Sequence, residues 1–220
     1  MIKRSSKNYI DNLLSQNPHW KILDIGCGYT AHNNATVICD VQDLSSFYKD
    51  KKFIQLNDNN LPFLDKEFDF VIASHVIEHV KDVNFFVKEL ERVASKGYIE
   101  LPTILEDNLV FENKNDHLWH MEFNDDENKL IISKKIQFLE PILTVSSAKN
   151  FLKFFRQSLV LELIWEISIE FKIIKKDFEI GQKISRLSLF RKFFSSCRFL
   201  LLLISTRIAF APAELKILEN

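Results

Sequence analysis

Glycine is nearly absent, with four in 220 residues. Such a chain has few points where the backbone can turn left-handed or come close to a ligand. The pair Gly26 and Gly28 is therefore read as placed by need. Cysteine is as sparse: Cys27, Cys39 and Cys197 are well separated, with neither metal-ligand spacing nor a disulfide framework. That excludes a disulfide-stapled secreted scaffold and makes a reducing cytoplasm the expected setting. A charge excess is missing too. Lys and Arg number 29 against 30 Asp and Glu, a formal net charge of -1, so no global field points to nucleic acid. The basic N-terminus MIKRSSKNYIDNLLSQ lacks the apolar core of a secretory signal.

What is present suits a globular α/β domain with an appendage: 46% apolar and 27% charged residues. Residues 1 to 18 read as a leading amphipathic helix with Tyr9, Ile10, Leu13 and Leu14 on one face, ended by Pro18. Continuous apolar runs at 20–25, 35–40, 52–56, 68–74 and 97–102 read as five strands. Strands without alternation are those covered on both faces, as in parallel sheets. A helix follows the fourth run, with Asp82 as N-cap and Val83, Phe86, Leu90 and Val93 inward.

After Pro102 the pattern changes. Residues 103 to 117 read as a loop, and HLWHMEF and KLIISKK around NDDEN as a hairpin. Ser146 or Ser147 is the expected cap of a helix through Phe155. Residues 160 to 174 alternate, which predicts a half-buried strand or a tightly bent hairpin. The domain is expected over 1–180 with the hairpin inserted around 117–135, and a basic, apolar helical extension over 181–220.

Two acids end the first two strands. Asp24 closes the first and leads into Gly26-Cys27-Gly28, where missing side chains let backbone approach a ligand. Asp40 closes the second, where an acid commonly grips a ribose diol. LDIGCG at 23–28, Asp40, and NDNNLPFLDKEFDFVIASHVIEHVKD at 57–82 occur in an order that resembles the class I S-adenosylmethionine-dependent methyltransferases. The resemblance spans about residues 19 to 102. It implies an α/β, Rossmann-like open sheet of five parallel strands plus an antiparallel pair, with helices on both faces. It also implies S-adenosyl-L-methionine as cofactor, held by Asp24, Gly26, Cys27, Gly28, Asp40, Ser74 and, at adenine, Asn57 or Asp58. Cys27 itself reads as a small turn residue.

The sequence departs from that family in two places. Tyr29-Thr30 follow the glycine pair, and only Ala31 to Thr36 separate them from the second strand. That is too short for the usual helix, so a loop is expected at the cofactor's methionine end. Asn57 stands where the family usually has an acid.

His79 or His75, just after the fourth strand, is the expected base if the acceptor needs one; packing is the competing role. Glu100, His117 and Trp119 are the expected acceptor contacts, because Glu100-Leu-Pro102 and His117-Leu-Trp119 resemble E-x-P and H-x-W in some methyltransferases encoded alongside glycan-synthesis enzymes. A cell-surface glycan or glycolipid precursor is then the expected acceptor, with a small soluble metabolite as the alternative. The acceptor pocket is expected from residues 103–150. Asp24/Asp40 and His75/His79 have no further ligands at metal spacing, so no metal is assigned.

Residues 182–211 carry six basic residues and no acid, and the longest apolar run there is Phe199 to Ile204. That run is far short of the roughly 20 residues a membrane span needs. The segment reads either as a helix packed on the core or as one lying in anionic headgroups at the inner membrane face. Two rival functions stand beside methyl transfer. One is a non-catalytic binding or scaffold module. The other is a nucleotide-dependent oxidoreductase, because Gly26-x-Gly28-x-x-Ala31 fits that fingerprint formally; it lacks room for the helix whose N-terminus would face a pyrophosphate.

Overall fold

The structure, a computed structural model, describes residues 1–57 and 60–175. Asp58 and the 182–211 segment, on which two expectations rest, lie outside them.

The element order is β1 (Ile2–Arg4), α1 (Lys7–Gln16), β2 (Ile22–Ile25), β3 (Val37–Asp40), β4 (Lys52–Gln55), β5 (Phe70–Ser74), a 3-10 turn (Ile77–His79), α2 (Val83–Val93), β6 (Lys96–Pro102), α3 (Ile104–Leu109), α4 (Asn113–Asp116), β7 (Trp119–Asn124), β8 (Lys129–Lys134), α5 (Val145–Leu159), β9 (Val160–Glu166) and β10 (Phe171–Ile174). Seven strands form one sheet in the order β1-β9-β6-β5-β2-β3-β4, and β10-β8-β7 form a second. The five strands from β6 to β4 are parallel. β9 runs antiparallel to β6, and β1 antiparallel to β9. The main sheet is therefore the expected Rossmann-like one, and its antiparallel pair joins the two ends of the described chain.

The central apolar runs become strands buried along their length, with every position of β2 and β3 buried, whereas the edge strand β4 is exposed at Lys52 and Gln55. One face of the sheet packs α2 through Val83, Phe86, Val87, Leu90 and Val93, together with Met121, Leu130 and Ile132 of the smaller sheet. The other face packs α1 through Ile10 and Leu14 against Ile22, Ile38, Phe70, Ile72 and Tyr98. Helices thus cover both faces. Asp82 caps α2 as expected, accepting the Phe85 N–H at 3.0 Å.

Five expectations need correction. Residues 1 to 18 are not one helix: residues 2–4 pair with β9, and Ser6 caps α1, accepting from Tyr9 N at 3.2 Å. Tyr9, expected inward, is 52% exposed. Residues 103–117 are two short helices rather than a loop, the first capped by Thr103. The cap of α5 is Thr144; Ser147 sits three residues inside and completes a capping box with it. The alternation through 160–174 does not mark one half-buried strand or a hairpin. β9 is buried on both faces from Val160 to Trp165. Ile167 then takes φ +70 and turns outward, 81% exposed, and β10 leaves to pair in parallel with β8. The hairpin itself forms as expected, with Trp119 opposite Lys134 and Asn124 opposite Lys129.

Candidate active site

A cleft of about 1000 Å³ opens where the parallel strands end. Ligands in open α/β sheets bind at this edge. Its wall includes Asp24, Gly26, Cys27 and Gly28 after β2, Ser74 and His75 after β5, and Glu100 in β6. Lys7, Asp11 and Ser15 of α1 and residues 29–34 add to it, with Tyr48, Lys51 and Tyr98 among the others. No residue of 103–150 lines it, so the expected source of acceptor contacts is not part of this wall. His79, His117 and Trp119 lie elsewhere, and Asn57 is an exposed residue beyond β4, also off the wall.

The turn after β2 needs both glycines. Gly26 has φ +65, and a Cβ there would meet Val76 Cγ2 at 2.5 Å. Gly28 has φ +48 with nothing within 4 Å of where a Cβ would stand, so bare backbone faces the opening. Residues 26–36 contain no helix, as their shortness implied. Side chains hold them instead. Tyr48 accepts from Ala31 N at 3.0 Å and donates to Gly28 O at 2.8 Å. Lys51 Nζ donates to the carbonyls of His32 and Asn33 at 3.0 and 3.1 Å. With no helix N-terminus here, the oxidoreductase fingerprint lacks its anion site.

The two strand-end acids part company. Asp24 is 4% exposed and accepts the His32 N–H at 2.7 Å. Burial outweighs that bond and pushes its carboxyl up to about 6. Asp40 is not on the cleft wall. Its oxygens accept from Gly28 N and Gln42 N, each at 2.9 Å. It therefore shapes the glycine turn, and the direct grip on a ligand expected of it is not what this geometry presents. Burial pushes the Cys27 thiol up to about 12, which suits a turn residue and not a nucleophile.

His75 adopts φ +55 and sits between two acids, with Nδ1 3.2 Å from Glu78 and Nε2 3.3 Å from Glu100. Burial alone would lower its basicity, but Glu100 and Glu78 override it and raise the imidazole to about 10. It is an imidazolium at neutral pH, poorly suited to take up a proton. Glu100 in turn is held at about 2: burial favours its neutral form, but His75 and Arg156 outweigh it. Arg156 Nη2 donates to Glu100 at 2.7 Å and to Glu162 at 3.0 Å. Glu100 is thus part of a charged network at the cleft wall.

His79 is exposed, and its Nδ1 lies 3.0 Å from the Asp116 carbonyl. His117 is buried against Asp107, and Trp119 Nε1 donates to Val80 O at 2.7 Å. The Trp119 bond fastens β7 to the end of the 3-10 turn, the His79 bond ties that turn to α4, and the His117 bond ties the end of α4 to α3. Asp11, His32, Lys51, Arg156 and Glu106 were not foreseen. Glu106 sits in the segment read as loop, and burial pushes its carboxyl up to about 7. A basic residue six positions before Glu162 was the faint signal for Arg156.

Residues 23–99 match the family model described as a methyltransferase domain. Over those residues the chain is similar to the methyltransferases. The chain is similar in sequence to the uncharacterized protein MJ0638 of Methanocaldococcus jannaschii, 30% identical over 145 residues, 57% of this chain and 62% of that one. The chain thus spans less than two thirds of that relative. Among solved structures it is similar to the PH0226 protein of Pyrococcus horikoshii OT3, at 16% identity and TM-score 0.40, covering 74% of this chain and 92% of that one. A SAM dependent methyltransferase from Aquifex aeolicus is similar at 13% identity and TM-score 0.37, covering 70% and 87%.

Proposed function

We propose that the chain is an S-adenosylmethionine-dependent methyltransferase whose cofactor lies in the cleft against the Gly26–Gly28 turn. The observation that carries this is the bare backbone at Gly28 beside the buried Asp24 carboxylate, at the carboxyl end of the central parallel strand. The cofactor supplies a methyl already activated on a sulfonium, so the protein has mainly to align and desolvate the two reactants. Asp24 offers negative charge toward a cationic ligand. Asp40 and Tyr48 hold the turn, Ser74 and the Cys27 backbone add wall, and Asn57 or Asp58 is the assigned adenine contact.

Of the two histidines considered as base, His75 is kept protonated by two carboxylates and His79 lies off the cleft wall, so the transfer is assigned to proximity and alignment with an acceptor that needs no base. His75 then contributes positive charge to the cleft wall, since both of its ring N–H groups are spent on Glu78 and Glu100. The acceptor is assigned to the glycans or glycolipid precursors, with Glu100, His117 and Trp119 behind the binding face; the E-x-P and H-x-W resemblance supports this. The basic 182–211 segment would bring the enzyme to an anionic inner membrane face. Among the described residues, no helix is long and apolar enough to cross a membrane.

The test is transfer of an isotope-labelled methyl from S-adenosylmethionine into fractionated extracts, read by product mass. Label in a glycan or glycolipid fraction is expected. Label only in free metabolites would move the acceptor to that class. Cofactor binding with no transfer to any fraction would favour the scaffold reading.

A further inference from the structure

A second polar cluster lies beside the cleft, between the 3-10 turn Ile77–His79 and the start of β7. Glu78 is 0% exposed. Its Oε1 meets His75 Nδ1, whereas Oε2 is buried without a hydrogen-bond partner. A buried, unpartnered carboxylate oxygen is costly unless something cationic meets it. The His79 and His117 rings meet edge to face, 4.6 Å between centroids. Each has its Nδ1 engaged, His79 by the Asp116 carbonyl and His117 by the Asp107 carboxylate. A carbonyl can only accept, so His79 Nδ1 donates; the same role at His117 leaves both Nε2 atoms with free lone pairs. One donor atom from each of Glu78, His79 and His117 lies within 4.8 Å of the others.

We propose that Glu78, His79 and His117 bind a divalent zinc ion through Glu78 Oε2 and the two Nε2 atoms, with water in the fourth position. Two imidazoles and one carboxylate make a three-ligand zinc set of the open kind. Carboxylate and carbonyl partners on the distal ring nitrogens are what metal-bound histidines characteristically use. Metal–ligand bonds of about 2.0–2.1 Å put donors roughly 3.3 Å apart, so the set closes by a modest side-chain movement. His79 is exposed and free to make it. The frame exists without the ion: Leu118 N donates to Glu78 O at 2.7 Å, and Trp119 to Val80 O. The expectation of no metal looked only at neighbours in sequence, whereas His117 reaches the site through the fold.

The experiment uses the full-length, tag-free protein, stripped with chelator and titrated with Co(II), whose visible absorption reports tetrahedral coordination, with Zn(II) as competitor. One equivalent of Co(II) displaced by Zn(II) is expected, with affinity lowered on the order of tenfold or more in His79→Ala and in Glu78→Gln, and unchanged in His19→Gln. His117→Ala also exposes a buried aspartate, so the exposed His79, with folding checked by circular dichroism, carries the decision. No stoichiometric binding, or equal affinity in wild type, His79→Ala and Glu78→Gln, overturns the site. Metal content is read without any acceptor, so failure here leaves the methyltransferase reading standing.

Discussion

Asp24→Asn should make the protein more stable and a worse cofactor binder. The Asp24 carboxyl is raised from 3.8 to about 6 in the folded state, chiefly by burial. Below 3.8 both folded and unfolded forms are protonated, and the buried group adds no charge penalty. As pH rises through this window the unfolded chain ionises first, and the folded state loses stability until its own group ionises. At about 1.4 kcal/mol per pK unit, the roughly two-unit shift sets a penalty of about 3 kcal/mol above pH 6. Asparagine removes the charge and keeps an oxygen for the His32 N–H, though a neutral acceptor forfeits about 1 kcal/mol of that bond. The net expectation at pH 8 is a gain of about 1–3 kcal/mol in urea unfolding, shrinking to nothing or a slight loss at pH 3.5. In the same variant, binding of S-adenosylmethionine should weaken, because stability and function trade at a buried charged site. Equal gains at both pH values, or a loss at pH 8, would refute the reasoning.

His75 supplies a second pH test. Its folded value of about 10 stands above 6.5, so its contribution is full below pH 6.5 and disappears as pH rises toward 10. Urea midpoints of wild type and His75→Gln should converge between those limits, and a constant gap would contradict the ion pairs with Glu78 and Glu100. Gly26→Ala should cost roughly 1–2 kcal/mol for the left-handed backbone plus a clash with Val76. Adding Val76→Ala should recover the clash share, so strict additivity in the double-mutant cycle counts against it. Trp119→Phe should cost about 1 kcal/mol by leaving the Val80 carbonyl unpaired, read as a shift in the thermal midpoint.

The parallel core was legible because its central strands β2, β3 and β5 are apolar runs buried on both faces, and the helix after β5 because Asp82 and the spacing of Phe86, Leu90 and Val93 agree. What escaped was non-local. Ile2 to Arg4 look like the start of a helix until β9 offers an edge to pair with. Ile167 sits inside a regular alternation, yet its φ of +70, rare for a β-branched residue, redirects the chain to the smaller sheet. At the site, Asp24, Gly26 and Gly28 were readable from their place at a strand end. The different duty of Asp40 was not, because only the folded loop brings Gly28 N to it. His75 looked like a base by its ordinary titration range; Glu100, from the neighbouring strand, changes that.

The central claim is that this cleft binds S-adenosylmethionine. Isothermal titration calorimetry of the full-length chain with S-adenosylmethionine and with its demethylated product tests it most directly. The account predicts saturable heat with one site per chain for both ligands, and an affinity loss of about 1–3 kcal/mol in Asp40→Ala through collapse of the Gly28 turn. No detectable heat for the wild type at millimolar ligand would contradict it.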